Sequence, residues 1–232
     1  QVGDSDTLKR QYDREPGLNA EGKVVLPGFV DPHTHTVWAG NRAAEFEKRL
    51  EGKTYLEILE AGGGILSTVN QTRKASRTEL KYQTRDRLKR MFLNGSTTIE
   101  VKTGYGLDIE TEQKMLQAVL ELDDEGPWEL AFTYLGAHAI PPEFKDDADG
   151  YVRFLTRKAL PAIFGFWAEH GGERSLPFVD VFCETGAFDL EQSRTILQAA
   201  KELGFPLKVH SDEFDNLGGT SLAVEMGAVS VD

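Results

Sequence analysis

Short apolar runs of strand length alternate with longer helix-patterned segments along most of the chain. The predicted strands are residues 25–32, 97–102, 130–136, 179–183, 206–210 and 228–232. The predicted helices are residues 43–50, 54–59, 77–94, 109–122, 150–169, 190–203 and 217–226. Such alternation predicts parallel strands joined by helical crossovers. Because polar or titratable residues stand where successive strands stop, the pattern favours a TIM-like (β/α)8 barrel over a doubly wound open sheet.

Two histidines stand at the end of the first predicted strand, in Gly28-Phe29-Val30-Asp31-Pro32-His33-Thr34-His35. Side-chain direction repeats every second residue of an extended chain, so both imidazoles point to the same side. An arbitrary His-x-His is often a pair of surface histidines. The position of this pair at a strand end favours a metal site instead.

Two further histidines, His138 and His210, follow the third and fifth predicted strands. Strand ends share one face of a parallel barrel, so these side chains are expected to converge with the first pair. Three nitrogen ligands plus a water suit catalytic zinc, and imidazole also suits iron. The fifth histidine, His170, stands at a predicted helix end and is interpreted as structural. Glu213 follows His210 closely and is a candidate contact for the substrate or a water.

Composition limits the classes of partner. The chain has 232 residues, with 38 acidic against 26 basic side chains and a formal net charge of −12. Nucleic acids and anionic membranes require clustered Lys and Arg, so neither is an expected partner. A single cysteine, Cys183, excludes an intrachain disulfide framework, and the longest apolar runs are shorter than a membrane span. These features predict a cytoplasmic globular protein.

Several further stretches accompany the His-x-His segment. They are Gly40-Asn41-Arg42, Ala61-Gly62-Gly63-Gly64-Ile65, Thr98-Ile99-Glu100-Val101-Lys102-Thr103-Gly104-Tyr105-Gly106, Leu135-Gly136-Ala137-His138, Phe182-Cys183-Glu184 and Val209-His210-Ser211-Asp212-Glu213. Together with the His-x-His segment they resemble the imidazolonepropionase family of the amidohydrolase superfamily. The resemblance implies the amidohydrolase type of (β/α)8 barrel with about six β/α units in this chain. It also implies that residues 24–232 form the barrel, incomplete at its C-terminus, and that residues 1–23 are the tail of a small β-sandwich domain.

The same resemblance implies a site and a reaction. One zinc or iron ion would be held by His33, His35 and His210, and a metal-activated water would open the ring of 4-imidazolone-5-propanoate to give N-formimidoyl-L-glutamate. Arg42 and Tyr105 would bind this anionic substrate. His138 and Glu213 would both bind the substrate and take part in catalysis. A homodimer is a possible assembly.

Two alternatives to this function stay open at the level of sequence. The first is another cyclic amidohydrolase or a nucleobase deaminase of the same superfamily, which would share the metal site without using Arg42 and Tyr105 as anion contacts. The second is a barrel fragment that binds metal without turnover. An acidic strand-eight ligand and a histidine after strand six, both expected in this family, are not present in the chain.

Overall fold

Six strands form one parallel sheet in the computed structural model, which describes residues 2–53, 57 and 63–232. The strands are β1 (Phe29–Asp31), β2 (Ser96–Lys102), β3 (Glu129–Ala137), β4 (Phe178–Cys183), β5 (Lys208–Ser211) and β6 (Ser230–Val231). Each strand pairs in parallel with the next one along the chain. This order confirms the predicted succession of strands, because a doubly wound sheet reverses its order at a switch point. The sheet is a half-barrel.

Helices fill most of the connections between strands. They are α1 (Ser5–Gln11), α2 (Ala43–Leu50), α3 (Ile65–Lys74), α4 (Arg77–Leu93), α5 (Ile109–Glu125), α6 (Ala148–Phe154), α7 (Leu160–His170), α8 (Leu190–Glu202) and α9 (Gly219–Met226). A π-helical turn, Leu155–Ala159, joins α6 to α7, and a 3-10 turn at Pro142–Phe144 precedes α6. None of the helices in the described ranges is long and apolar enough to cross a membrane.

The four middle strands, β2 to β5, are largely buried on both sides of the sheet, but with different side chains. The core contains apolar residues of alternate strand positions such as Ile99, Val101 and Val179, together with the buried faces of the helices. The intervening positions carry polar or charged residues, and Lys102 and Asp180 are both buried completely. Period-two alternation therefore sends the apolar set to one side of the sheet and a polar set to the other.

Local sequence signals fix where several helices begin. Ser76 accepts a hydrogen bond from the N–H of Glu79, whose side chain accepts one from the N–H of Ser76. This capping box satisfies two donors that would otherwise lack partners at the start of α4. Asp189 and Gln192 form the same arrangement at the start of α8. Capping thus sets the two starts that the sequence predicts at residues 77 and 190.

In three regions the structure differs from the predicted elements or does not test them. The first predicted strand, 25–32, is reduced to β1, and Val24, Val25 and Leu26 are exposed because no described element packs on them. Residues 2–23 contain α1 and no described strand, so the assignment of this tail to a β-sandwich domain stays a prediction. Helix α3 is additional to the predicted set, and most of the helix predicted at 54–59 lies outside the described residues.

Candidate metal centre

Three of the predicted histidines meet at the C-terminal end of the sheet. Ring nitrogens of His33, His35 and His210 all lie within 4.8 Å of one another. The Nε2 atoms of His35 and His210 are 3.3 Å apart, although 175 residues separate them in sequence. The structure therefore brings together the three side chains that the family resemblance implies as metal ligands.

The backbone beyond β1 explains why the first two rings face the same way. The carbonyl of Thr34 accepts a hydrogen bond from the N–H of Lys102 at 2.9 Å. The Thr34 hydroxyl donates to the carbonyl of Glu100, also on β2. Thr34, which lies between the two histidines, is thus hydrogen-bonded to β2. The rings of His33 and His35 stand 5.2 Å apart, as the alternation of an extended chain predicts.

His210 is held from behind by a buried carboxylate. Its Nδ1 atom lies 2.8 Å from Oδ2 of Asp180, and Nζ of Lys102 lies 2.7 Å from the same oxygen. Burial would raise the pKa of Asp180, but His210 and Lys102 outweigh this effect and hold it below its ordinary value. Contact with Asp180 through Nδ1 leaves Nε2 of His210 directed towards His35.

A chain of buried charges continues from Asp180 across the sheet. Nζ of Lys102 lies 3.1 Å from Oε1 of Glu100, and Nζ of Lys208 lies 2.9 Å from the same oxygen. Burial lowers the pKa of Lys102, but Asp180 and Glu100 outweigh burial and raise it. Two ammonium and two carboxylate groups therefore alternate, which is the condition under which buried charges are tolerated.

His138 and Tyr105 flank the histidine cluster. The ring of His138 stacks on that of His35 with centroids 4.9 Å apart, and the Tyr105 ring lies 5.2 Å from that of His138. Nδ1 of His138 lies 3.0 Å from the carbonyl oxygen of Gly104. Because a carbonyl only accepts, Nδ1 carries the hydrogen. Burial lowers the pKa of His138 to about 4, so its Nε2 presents a lone pair at neutral pH.

The remaining two predicted residues are Arg42 and Glu213. Arg42 precedes α2 and pairs with Glu45, with Nε 2.9 Å from Oε2. Burial raises the pKa of Tyr105, and the positive charge of Arg42 opposes that rise. Glu213 is exposed in the loop after β5. Among the described residues, Glu213 belongs to neither group of side chains whose ligand atoms lie close enough to share a metal ion.

Comparison with known proteins gives extensive matches. Imidazolonepropionases from Herpetosiphon aurantiacus and Bacillus cytotoxicus are each 50% identical to this chain, over 93% and 100% of its residues. The imidazolonepropionase of Chloroflexus aggregans is 48% identical over the whole chain. Over this length the chain belongs to the imidazolonepropionase family. It spans 50–55% of the length of these three curated relatives. No family model matches the sequence.

A solved structure supports the architecture. The adenine deaminase of Arthrobacter aurescens superposes with a TM-score of 0.51, covering 89% of this chain and 64% of that one. The two sequences are 13% identical, so the likeness concerns the fold alone. The fold of this six-stranded half-barrel is therefore also seen in that adenine deaminase.

The three histidines fit a divalent ion. Tetrahedral coordination with metal–nitrogen distances of about 2.0–2.1 Å places two ligand nitrogens about 3.3–3.4 Å apart. The Nε2 atoms of His35 and His210 show a separation of 3.3 Å. Burial and the neighbouring imidazoles also lower the pKa of His35, which keeps it in the neutral form that binds metals. Among these three histidines the ring of His33 is the most exposed.

A second group of potential ligands fits less well. Carboxylate and ring atoms of Asp180, His210 and Asp232 also lie within 4.8 Å of one another. Nζ of Lys102, however, lies 2.7 Å from Asp180 and 2.8 Å from Asp232. An ammonium group at this position occupies the carboxylate lone pairs and repels a second cation. The three-histidine group is the better metal centre.

Sequence reasoning missed the residues that support the cluster. Asp180, Lys102, Glu100 and Lys208 are not predicted as site residues, although each is buried in a strand. Their signal is a charge at alternate positions of otherwise apolar strands, as in Thr98-Ile99-Glu100-Val101-Lys102. Charged residues in such a strand are usually exposed, so only the three-dimensional pairing reveals their role.

Proposed function

We propose that the full-length protein hydrolyses 4-imidazolone-5-propanoate to N-formimidoyl-L-glutamate in histidine degradation. The observation that carries this proposal is the convergence of His33, His35 and His210 in a chain about 50% identical to imidazolonepropionases. The six β/α units would be part of an eight-unit barrel, in keeping with relatives about twice as long.

The proposed metal is one zinc or iron ion held by these three histidines. When bound, such an ion lowers the pKa of a coordinated water from ~15.7 to ~7 and so supplies a nucleophile at neutral pH. Asp180 would keep His210 in the tautomer whose Nε2 faces the other ligands, because it contacts Nδ1 at 2.8 Å.

Four other side chains would handle the substrate. Arg42 would pair with the carboxylate tail through a charge-assisted contact. Tyr105 and His138 lie beside His35, where a ring attacked at this centre would sit, and the lone pair on Nε2 of His138 suits an N–H donor of that ring. Glu213, on the exposed loop after His210, would approach the ring and carry a proton to the leaving nitrogen.

Turnover by the full-length protein tests this function. We expect hydrolysis of 4-imidazolone-5-propanoate, measured by loss of its ultraviolet absorbance, and little turnover of hydantoins or amino-purines. Preference for either of these compounds would support another amidohydrolase or deaminase function instead. Stoichiometric metal without turnover of any of them would support a binding role.

A further inference from the structure

Tyr105 and His138 depend on the loop of residues 103–107, which joins β2 to α5. Gly104 has φ +103° and Leu107 has φ +58°, and both values lie in the left-handed region that most residues avoid. Gly104 also supplies the carbonyl to which Nδ1 of His138 donates at 3.0 Å. The position of this loop therefore determines where both side chains stand relative to His35.

The buried carboxylate of Glu112 binds the backbone of this loop. Oε1 of Glu112, in the first part of α5, accepts hydrogen bonds from the backbone N–H of Gly104 at 3.2 Å, Gly106 at 2.7 Å and Leu107 at 3.0 Å. Glu112 is 1% exposed. Burial raises the pKa of its carboxyl, and the backbone donors oppose that rise. A single side chain thus satisfies three donors of the loop that would otherwise be buried without partners.

The fit between loop and carboxylate is close. A Cβ atom at Gly106 would stand 2.8 Å from both the backbone nitrogen and Oε1 of Glu112. Tyr151 secures the far end of the same loop, since its hydroxyl lies 3.2 Å from the Leu107 carbonyl and 2.8 Å from that of Gly136. The loop is therefore bound both to α5 and to the end of β3, two residues before His138.

We propose that Glu112 is a positioning residue for substrate binding, acting through the 103–107 loop to place Tyr105 and His138 together beside the metal centre. The hydrogen bonds that its carboxylate accepts come from the loop backbone and not from the candidate metal ligands. The proposal rests on the proposed function for its substrate, but the effect on the loop itself does not.

Kinetics of the full-length enzyme test the proposal. We expect Glu112→Ala to raise KM for the imidazolone propanoate at least ten-fold, with full metal content retained. Glu112→Gln should recover most of this loss, because its carbonyl oxygen can accept the same three N–H bonds. Glu110→Ala is the matched control, since Glu110 lies on the same helical turn but is exposed, and it should leave KM unchanged.

Hydrogen exchange and a variant of the loop itself also test the role of Glu112. Hydrogen exchange of residues 103–107 should accelerate in Glu112→Ala without substrate, so a failure of the proposed function leaves this result intact. If Glu112→Ala does not fold, Gly106→Ala disturbs the same contact from the loop side and should raise KM in the same way. An unchanged KM in the folded variant, loss of metal, or equal effects of Glu110→Ala and Glu112→Ala would overturn the proposal.

Discussion

At the scale of single residues, the contact between Asp180 and His210 links the metal centre to the buried charges beneath it. Asp180→Asn keeps the shape of the side chain but removes the negative charge that lies 2.8 Å from Nδ1 of His210. We expect the full-length protein to lose ~10–100-fold in metal affinity, the usual effect of removing such a supporting carboxylate. Competition with a chromogenic chelator measures it.

The control for this substitution is Glu173→Gln, which removes one negative charge from an exposed loop. It should leave the metal affinity at the wild-type value. An Asp180→Asn protein that binds metal as tightly as wild type would show that His210 needs no carboxylate to orient it.

Substitution of Arg42 tests which substrate is bound rather than how the chain folds. If Arg42 clamps the propanoate tail, Arg42→Ala removes a charge-assisted contact worth ~1.5–3 kcal/mol, or about ten- to hundred-fold in kcat/KM. Because Arg42 already pairs with Glu45 at 2.9 Å, we expect the lower part of this range, seen mainly as a raised KM. An imidazolone without the carboxylate is the comparison substrate. Equal losses of kcat/KM on both substrates would show that Arg42 has a structural role only.

Sequence periodicity predicts some of the site residues, whereas others are recognised only from contacts that form after folding. The convergence of His33, His35 and His210 follows from the period of a strand and the shared end of parallel strands. The support given by Glu112 and Asp180 depends on which atoms meet after folding. Helical Glu112 looks in sequence like any acidic residue near a helix start, where negative charge is common.

At the scale of elements, the start of α4 depends on two side chains. Ser76→Ala removes the acceptor for the N–H of Glu79 at the helix N-terminus. We expect the free energy of unfolding to fall by about 1 kcal/mol, measured by urea denaturation. Thr78→Ala, at an exposed position of the same first turn, is the control and should change it little. A larger loss at Thr78 would contradict the capping explanation.

Most helices follow from their caps and apolar spacing, but α3 and β1 show where such signals fail. The buried positions of α3 are Thr68, Val69 and Thr72, and two of these three are polar. Hydrophobic spacing is therefore weak there, although Thr72 is a buried acceptor for the N–H of Ala39. In β1 the opposite holds, since the apolar residues before Phe29 predict more strand than the sheet pairs.

At the scale of the whole molecule, a metal ion bound by the proposed ligands would stabilise the fold, because His33 and His35 lie 175 or more positions before His210 in sequence. A ligand that binds only the folded state stabilises it by about 2.7 kcal/mol at a hundred times its Kd. We expect chelation to lower the Tm of the full-length protein, and restored zinc or iron to raise it again. His33→Ala removes the most exposed ligand and is the control. Its Tm should respond weakly to the chelator, whereas a full response would place the metal elsewhere.

The separation of 175 positions in sequence between His35 and His210 also has a consequence for timing. At a synthesis rate of about 5–20 residues per second, the ribosome releases the second histidine roughly 9–35 s after the first. During that interval the nascent chain contains only two of the three proposed ligands, His33 and His35. The proposed set of three ligands would therefore be complete only after the fifth strand has joined the sheet. Metal loading in the cell would then follow the pairing of these five strands rather than precede it.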